Sequence, residues 1–405
     1  MFKSFIGFSV ITCAILTAEG GAERKGDEMH PQDRAYTVAA YYFPSYHPDP
    51  RRERQYGAGW TEWELVKQAR PRFENHAQPK VPAWGYEDES DPAVMAKKID
   101  AAADHGIDAF LFDWYWYDGP FLERGLERGF LEAENNNRLK FGLMWANHDW
   151  TDIFPRTLAR SPELLYPGKV SSATFEAATD YIIEKYFRHP SYWRIKERPY
   201  FSFYDLSALV GSFGGLRETR EALERFREKT VKAGFPGLHL NIVMWGQTVL
   251  PNAEVAPNPA ELVKELGFDS VTSYVWVHHV ALSEFPSMPY QHVFIEYLKY
   301  AREAVNLYSV PYYPNVTVGW DSTPRTDQSG PFIKAGYPYT PVLVGNTPTA
   351  FQEALQSIRD FLDTRPSDER IVTLNCWNEW TEGSYLEPDA KNGMKYLEAV
   401  RTVFP

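Results

Sequence analysis

Glu379 and Glu382 stand three residues apart in the run Asn375-Cys376-Trp377-Asn378-Glu379-Trp380-Thr381-Glu382-Gly383. Paired carboxylates are what acetal cleavage needs: one kept protonated as acid, one ionised as base or nucleophile. They converge on one cavity if the backbone turns helically there, and the indoles of Trp377 and Trp380 offer an apolar setting that raises a carboxyl pKa. The same spacing also suits a helix start, where acidic side chains favour the N-terminal end of the dipole. Metal chemistry has less to stand on. His278 and His279 are neighbours that a strand would point to opposite faces. His47, His76 and His148 are scattered, and no His-Glu spacing suggests a zinc helix. Asp149 and Asp152 read as solvated or loop-capping residues. The expectation is therefore no metal and no cofactor.

The elements that must carry the pair follow from apolar periodicity. Strand patterns begin at Val38, Ile107, Phe141, Pro199, Leu238, Ser270, Tyr313 and Ile371. Helical patterns lie between most of them: Asp91 to Ala103, Ala173 to Phe187, Leu216 to Ala233, Pro259 to Leu266, Tyr290 to Asn306 and Thr349 to Thr364. About eight β-then-α units without a composition break predict a single α/β domain over residues 36–405, a (β/α)8 TIM-type barrel with long βα loops. No Gly-rich phosphate or dinucleotide loop follows a strand, which counts against a Rossmann sheet.

In such barrels the reactive groups gather past the C-terminal ends of the strands. Those ends carry aromatics accompanied by Asp, Asn, His or Glu, which suits a cleft for a neutral polyhydroxylated ligand. The candidate contacts are Tyr42, Trp60, Glu62, Asp113, Trp114, Trp145, Asn147, His148, Tyr274, Trp276, Trp377 and Asn378. Each has a plainer role available. Some aromatics simply cap the barrel core, Glu62 pairs with an arginine such as Arg70 or Arg72, and Asp113 orients His148.

Composition agrees with a glycan as the partner. Aromatic residues make up 16% of 405 residues, with 13 Trp and 25 Tyr. Flat rings with polar tips stack on sugar faces. A net charge of −12 argues against nucleic acid or an anionic membrane, either of which needs a basic face. The N-terminus has one early lysine, an apolar run from Phe5 to Ala18 and small residues at Gly20 and Ala22. It reads as a signal peptide over residues 1–22, followed by a polar lead-in over 23–35. The run is too short for a permanent span of about 30 Å, and Cys13 makes a weak lipoprotein signal. Export to the periplasm or medium is the expectation. Cleavage would leave Cys376 as the sole cysteine, with no disulfide.

The chain resembles the glycoside hydrolase family 99-like, or WbsX-like, proteins, and through them the endo-α-mannosidases of family 99. The resemblance rests on Ala40-Tyr41-Tyr42-Phe43-Pro44 with His47, Gly59-Trp60-Thr61-Glu62-Trp63, Asp91-Pro92, Gly106-Ile107-Asp108 and Trp145-Ala146-Asn147. Most specific is Trp377-Asn378-Glu379-Trp380-Thr381-Glu382-Gly383 followed by Leu386-Glu387-Pro388-Asp389. It implies a (β/α)8 fold, no metal, and retaining hydrolysis of an α-mannoside through a 1,2-anhydro sugar. Glu379 would then be the base on the 2-hydroxyl and Glu382 the acid/base at the leaving oxygen. One departure is His148, where such chains commonly carry a glutamate. The expectation is a secreted retaining glycosidase, endo-acting on an α-linked glycan. The alternatives are a glycosyltransferase of surface-polysaccharide synthesis, which would need a donor-phosphate site, and a non-catalytic glycan-binding protein.

Overall fold

The computed structural model describes residues 36–366, 368 and 370–405. The signal peptide, Cys13 and the lead-in lie outside the described residues. Eight parallel strands form the wall of a barrel: β1 (Thr37–Tyr42), β2 (Ala109–Trp116), β3 (Lys140–Trp145), β4 (Arg198–Phe203), β5 (His239–Val243), β6 (Ser270–Thr272), β7 and β8 (Ile371–Asn375). β7 comes in two pieces, Tyr312–Tyr313 and Asn315–Thr317, either side of Pro314. Pro314 has no N–H for a ladder, so the first piece pairs with β6 and the second with β8. β8 also pairs with β1, which closes the ring.

Helices run back outside the wall: α1 (Pro92–Ala103), α2 (Ser172–Ile182), α3 (Leu206–Phe213), α4 (Leu216–Lys232), α5 (Pro259–Glu265), α6 (Tyr290–Leu307), α7 (Pro348–Asp363) and α8 (Lys395–Val403). Their starts are written locally. Asp91 accepts from Ala93 N with Pro92 at the first turn, Ser171 accepts from Thr174 N, and Thr347 accepts from Ala350 N. Between β2 and β3 the chain makes a short π-helix, Gly125–Phe130. Among the described residues no helix is long and apolar enough to cross a membrane.

Alternation along each strand sorts side chains between barrel and shell. On β2, Asp113 and Tyr115 face the barrel mouth, while Trp114 packs outward against Trp145 of β3, ring centroids 5.4 Å apart. The barrel interior is polar and bonded across strands. Ser202 Oγ donates to Asn241 Oδ1 at 2.8 Å, and Asn241 Nδ2 donates to Ser270 Oγ at 2.8 Å. Satisfied groups of this kind pin strand register.

Candidate active site

β8 ends at Asn375, and the chain then makes a two-residue antiparallel ladder, Asn378–Glu379 against Ser384–Tyr385, around a 3₁₀ turn, Trp380–Glu382. Side chains three apart eclipse in such a turn, which puts Glu379 and Glu382 on one side. Gly383 closes the turn at φ +63°, and a Cβ there would lie 2.6 Å from Asp321 Cβ. Only glycine meets both demands. Asp321 N donates to the Glu382 carbonyl, tying this turn to the loop after β7.

That loop supplies the central cation. Arg325, at the end of a short 3₁₀ turn Thr323–Arg325, donates from Nη1 to Glu382 Oε1 at 2.8 Å and from Nη2 to Glu379 Oε1 at 2.8 Å. Nη2 also donates to Glu62 Oε2 at 3.0 Å. The Tyr337 hydroxyl donates to Glu382 Oε1 at 2.5 Å and accepts from Arg325. Glu62 is closed in further by Thr381 Oγ1 at 2.7 Å, Ser45 Oγ at 3.1 Å and Arg52 Nη2 at 3.4 Å. No described residue hydrogen-bonds Oε2 of Glu379 or Glu382.

Burial pushes Glu379 well above the usual carboxylate range, and repulsion from Glu382 adds to it against the pull of Arg325. Glu382 is raised too, first by burial, with Arg325 and the Tyr337 hydroxyl opposing. Two carboxylates that share one guanidinium titrate as a pair, and the pair keeps a proton more readily than either would alone. For Glu62, burial pulls upward but Arg325 and Arg52 outweigh it, so it stays ionised. Asp113 is raised well by burial, only partly offset by the Tyr274 hydroxyl donating to Oδ2 at 2.9 Å. Its Oδ1 is buried without a partner.

The pair opens into a cavity of about 690 Å³ at the mouth of the barrel. Of the residues singled out in the sequence, Asp113, His148, Tyr274, Glu379 and Glu382 line it. Phe43, Tyr115, Asp149, Trp150, Phe154 and Tyr204 line it as well, and Val249-Leu250-Pro251 of the loop after β5 forms an apolar wall. Burial keeps the His148 imidazole neutral and holds His278 down at about 3. His278 Nε2 pairs with the Tyr204 hydroxyl at 3.2 Å.

The other expected contacts sit elsewhere. Tyr42 packs outward on Phe112 at 4.6 Å, and Trp114 and Trp145 belong to the shell beneath α2, where Trp145 stacks on Phe175 at 5.8 Å. Their strand neighbours face the mouth, so alternation sends them away from it. Trp276 donates from Nε1 to Asn315 O at 3.0 Å and packs against α6. Trp377 donates from Nε1 to Glu387 Oε1 at 3.0 Å, beneath the turn. Asn378 clasps the backbone of Phe43 in both directions at 2.8 Å, and Asn147 holds the turn that leads into α3 by accepting from Tyr204 N and Asp205 N. Trp60 lies 4.2 Å from the Arg52 guanidinium, outside the lining. Glu62 does pair with arginines, but with Arg325 and Arg52 rather than Arg70 or Arg72. Asp113 is bonded to Tyr274, not to His148, whose Nδ1 meets Asp149 O at 2.9 Å. Arg325 and Tyr337, which hold the pair, escaped the sequence reading. The local sign for Arg325 is a Thr323-Pro324-Arg325 turn in the long loop after β7.

Comparison with known proteins gives this geometry relatives. A family model described as Glycosyltransferase WbsX matches residues 38–400. The uncharacterised protein WxcX of Xanthomonas campestris pv. campestris is 28% identical over 382 residues, 92% of this chain. In strain B100 the same-named protein is 29% identical over 386 residues. The chain spans about half the length of these curated relatives, 50%. Among solved structures, the GH99 endo-alpha-mannosidase from Bacteroides thetaiotaomicron superposes with a TM-score of 0.55 at 13% identity, covering 90% of this chain and 96% of that one. A glycoside hydrolase-like protein gives 0.55 at 13%, covering 91% and 94%. At these identities the likeness is one of fold.

Proposed function

Because the chain belongs to the WbsX glycosyltransferase family, we propose that it acts on glycans, and that its reaction is retaining hydrolysis of an α-linked, mannoside-like glycosidic bond. The observation that carries this reading is the Glu379–Arg325–Glu382 constellation at the mouth of the barrel. Glu379 is assigned as the base that draws the proton from the 2-hydroxyl, and Glu382 as the acid at the leaving oxygen and then the base for water. An internal sugar nucleophile leaves the protein only proton transfer to provide.

Electrostatics add a condition to these roles. In the free site Tyr337 donates to Glu382 and favours its ionised form, while burial and repulsion from Glu382 favour the protonated form of Glu379. A bound sugar must reverse that. A 2-hydroxyl donating to Glu379 favours its ionised form, and an ether oxygen accepting from Glu382 favours the protonated form there. Substrate thus sets the protonation state it needs. The family is described as one of transferases, and the same carboxylates facing an activated donor would suit that reading. Export is proposed from the signal-like N-terminus, with N-terminal sequencing of the secreted or periplasmic fraction as its check.

The test is reducing-end release from a panel of α-mannans and other glycans by the wild type and by Glu382→Gln. Release that the substitution abolishes supports the hydrolase. Sugar transfer from a nucleotide donor without release would replace it.

A further inference from the structure

The charges around the cavity say which sugars it admits. Four carboxyl groups line it, Asp113, Asp149, Glu379 and Glu382, and Glu62 lies directly behind, between Arg325 and Arg52. Against them the described lining holds one arginine, Arg325, and no lysine. Both terminal nitrogens of that guanidinium are engaged: Nη1 serves Glu382 and Tyr337, Nη2 serves Glu379 and Glu62, and Nε is buried without a partner. His148 and His278 are neutral imidazoles, so neither adds a positive charge. The rim offers no compensation. Asp149 spends both oxygens on neutral donors, Gly168 N at 2.9 Å and Asn252 Nδ2 at 3.1 Å. Beside it Val249, Leu250 and Pro251 present hydrocarbon. Asp113 Oδ1, Trp150 Nε1, His278 Nδ1 and Arg325 Nε of the lining are buried without partners. A hydroxyl satisfies both Asp113 and Trp150, whereas an anionic group satisfies only the donors and would repel the carboxylates.

We infer that the sugar unit held in this cavity is uncharged, read through its hydroxyls by Asp113 and Trp150. Units bearing uronate, phosphate or sulfate are turned away, and so is the diphosphate of a nucleotide-sugar donor. This rests on the glycan-acting reading above and narrows it. A charge repelled by neighbours at low dielectric and only partly screened weakens binding by about 10- to 100-fold.

The test uses full-length Glu382→Gln, titrated by calorimetry with an α-linked mannotriose, with the same trisaccharide carrying 6-phosphate on each unit in turn, and with GDP-mannose with and without magnesium. The neutral trisaccharide binds best. At least one phosphorylated form is about 10-fold or more weaker, and the gap narrows in 0.5 M salt, as a purely steric exclusion would not. Asp113→Asn narrows it further while weakening the neutral ligand. GDP-mannose does not bind at millimolar concentration. Equal or tighter binding of every phosphorylated form, or of GDP-mannose, overturns the charge inference and leaves a glycan-acting protein standing. If no compound binds, and none of a wider set of neutral glycans does, both this inference and the reading beneath it fall.

Discussion

Two buried clusters, one on each side of the strand-eight turn, pair carboxylates across a single cation and differ in what surrounds them. In the cavity, Arg325 holds Glu379 and Glu382, each with its second oxygen unclaimed. Beneath the turn, Lys98 Nζ lies 2.6 Å from both Glu89 and Glu387. There the scaffold covers the carboxylates, with Glu89 Oε2 buried and without a partner. Glu387 accepts from the indoles of Trp377 at 3.0 Å and Trp380 at 2.7 Å, and Glu89 Oε1 accepts from Asn378 at 2.8 Å. The same charge motif therefore opens to a ligand in the cavity and is closed off where indole N–H groups cover it. A buried carboxylate pair does not by itself mark a reaction; a cavity that brings a ligand to its free oxygens must go with it.

The largest expected effect sharpens this contrast. Glu382→Gln lowers kcat on the accepted glycan by about 10²- to 10⁴-fold, while its melting temperature holds because burial disfavours the charge removed. Lys98→Met should do the reverse. It strips two buried carboxylates of their cation and destabilises the fold by about 3–5 kcal/mol in urea titration, with kcat per folded molecule little changed. A stable Lys98→Met protein without activity would break the comparison.

Acid separates the two regions next. Burial holds His278 at about 3 and His47 and His239 at about 4. Unfolded imidazoles protonate below about 6.5, so the stability these three provide is present above that pH and is lost as pH falls toward 4. Asp321, held at about 2 despite burial by His76, Lys80 and Thr323, stabilises above its ordinary 3.8 and loses this as pH falls to 2. Glu89 works the other way. Burial raises it to about 6, so its contribution declines as pH rises from 4.5 to 6. Melting temperature against pH should therefore fall steadily below 6.5, and a flat profile from 6.5 to 4 would contradict the burial of these histidines. The smallest effect concerns the aromatics. Trp276→Phe, which loses one hydrogen bond to Asn315 O, costs about 1–2 kcal/mol of stability and leaves KM alone. Trp150→Phe, on the cavity wall, raises KM instead.

The barrel was readable because apolar runs of strand length alternate with capped helices, and both signals are local. β6 stops at Thr272, and the candidate contact Trp276 begins a 3₁₀ turn. Apolar composition continued past the last ladder bond, so periodicity could not mark the stop. The site was readable in part. Asp113 and Tyr274 sit at inward positions of strand ends, while Trp114, Trp145 and Trp276 have the right residue type on the wrong face.

By itself, the sequence determined the closed eight-unit barrel and the glutamate pair on its last strand, since hydrophobic period, capping and a three-residue spacing act within a few residues. Only the tertiary structure decided which aromatics meet a ligand, which carboxylates stay unclaimed, and that Arg325 is their shared cation. Arg325 lies 54 residues from Glu379 and 263 from Glu62 along the chain. Charges so far apart in sequence meet only when barrel closure brings the loops after β7, β8 and β1 to one mouth, and their protonation follows from that burial.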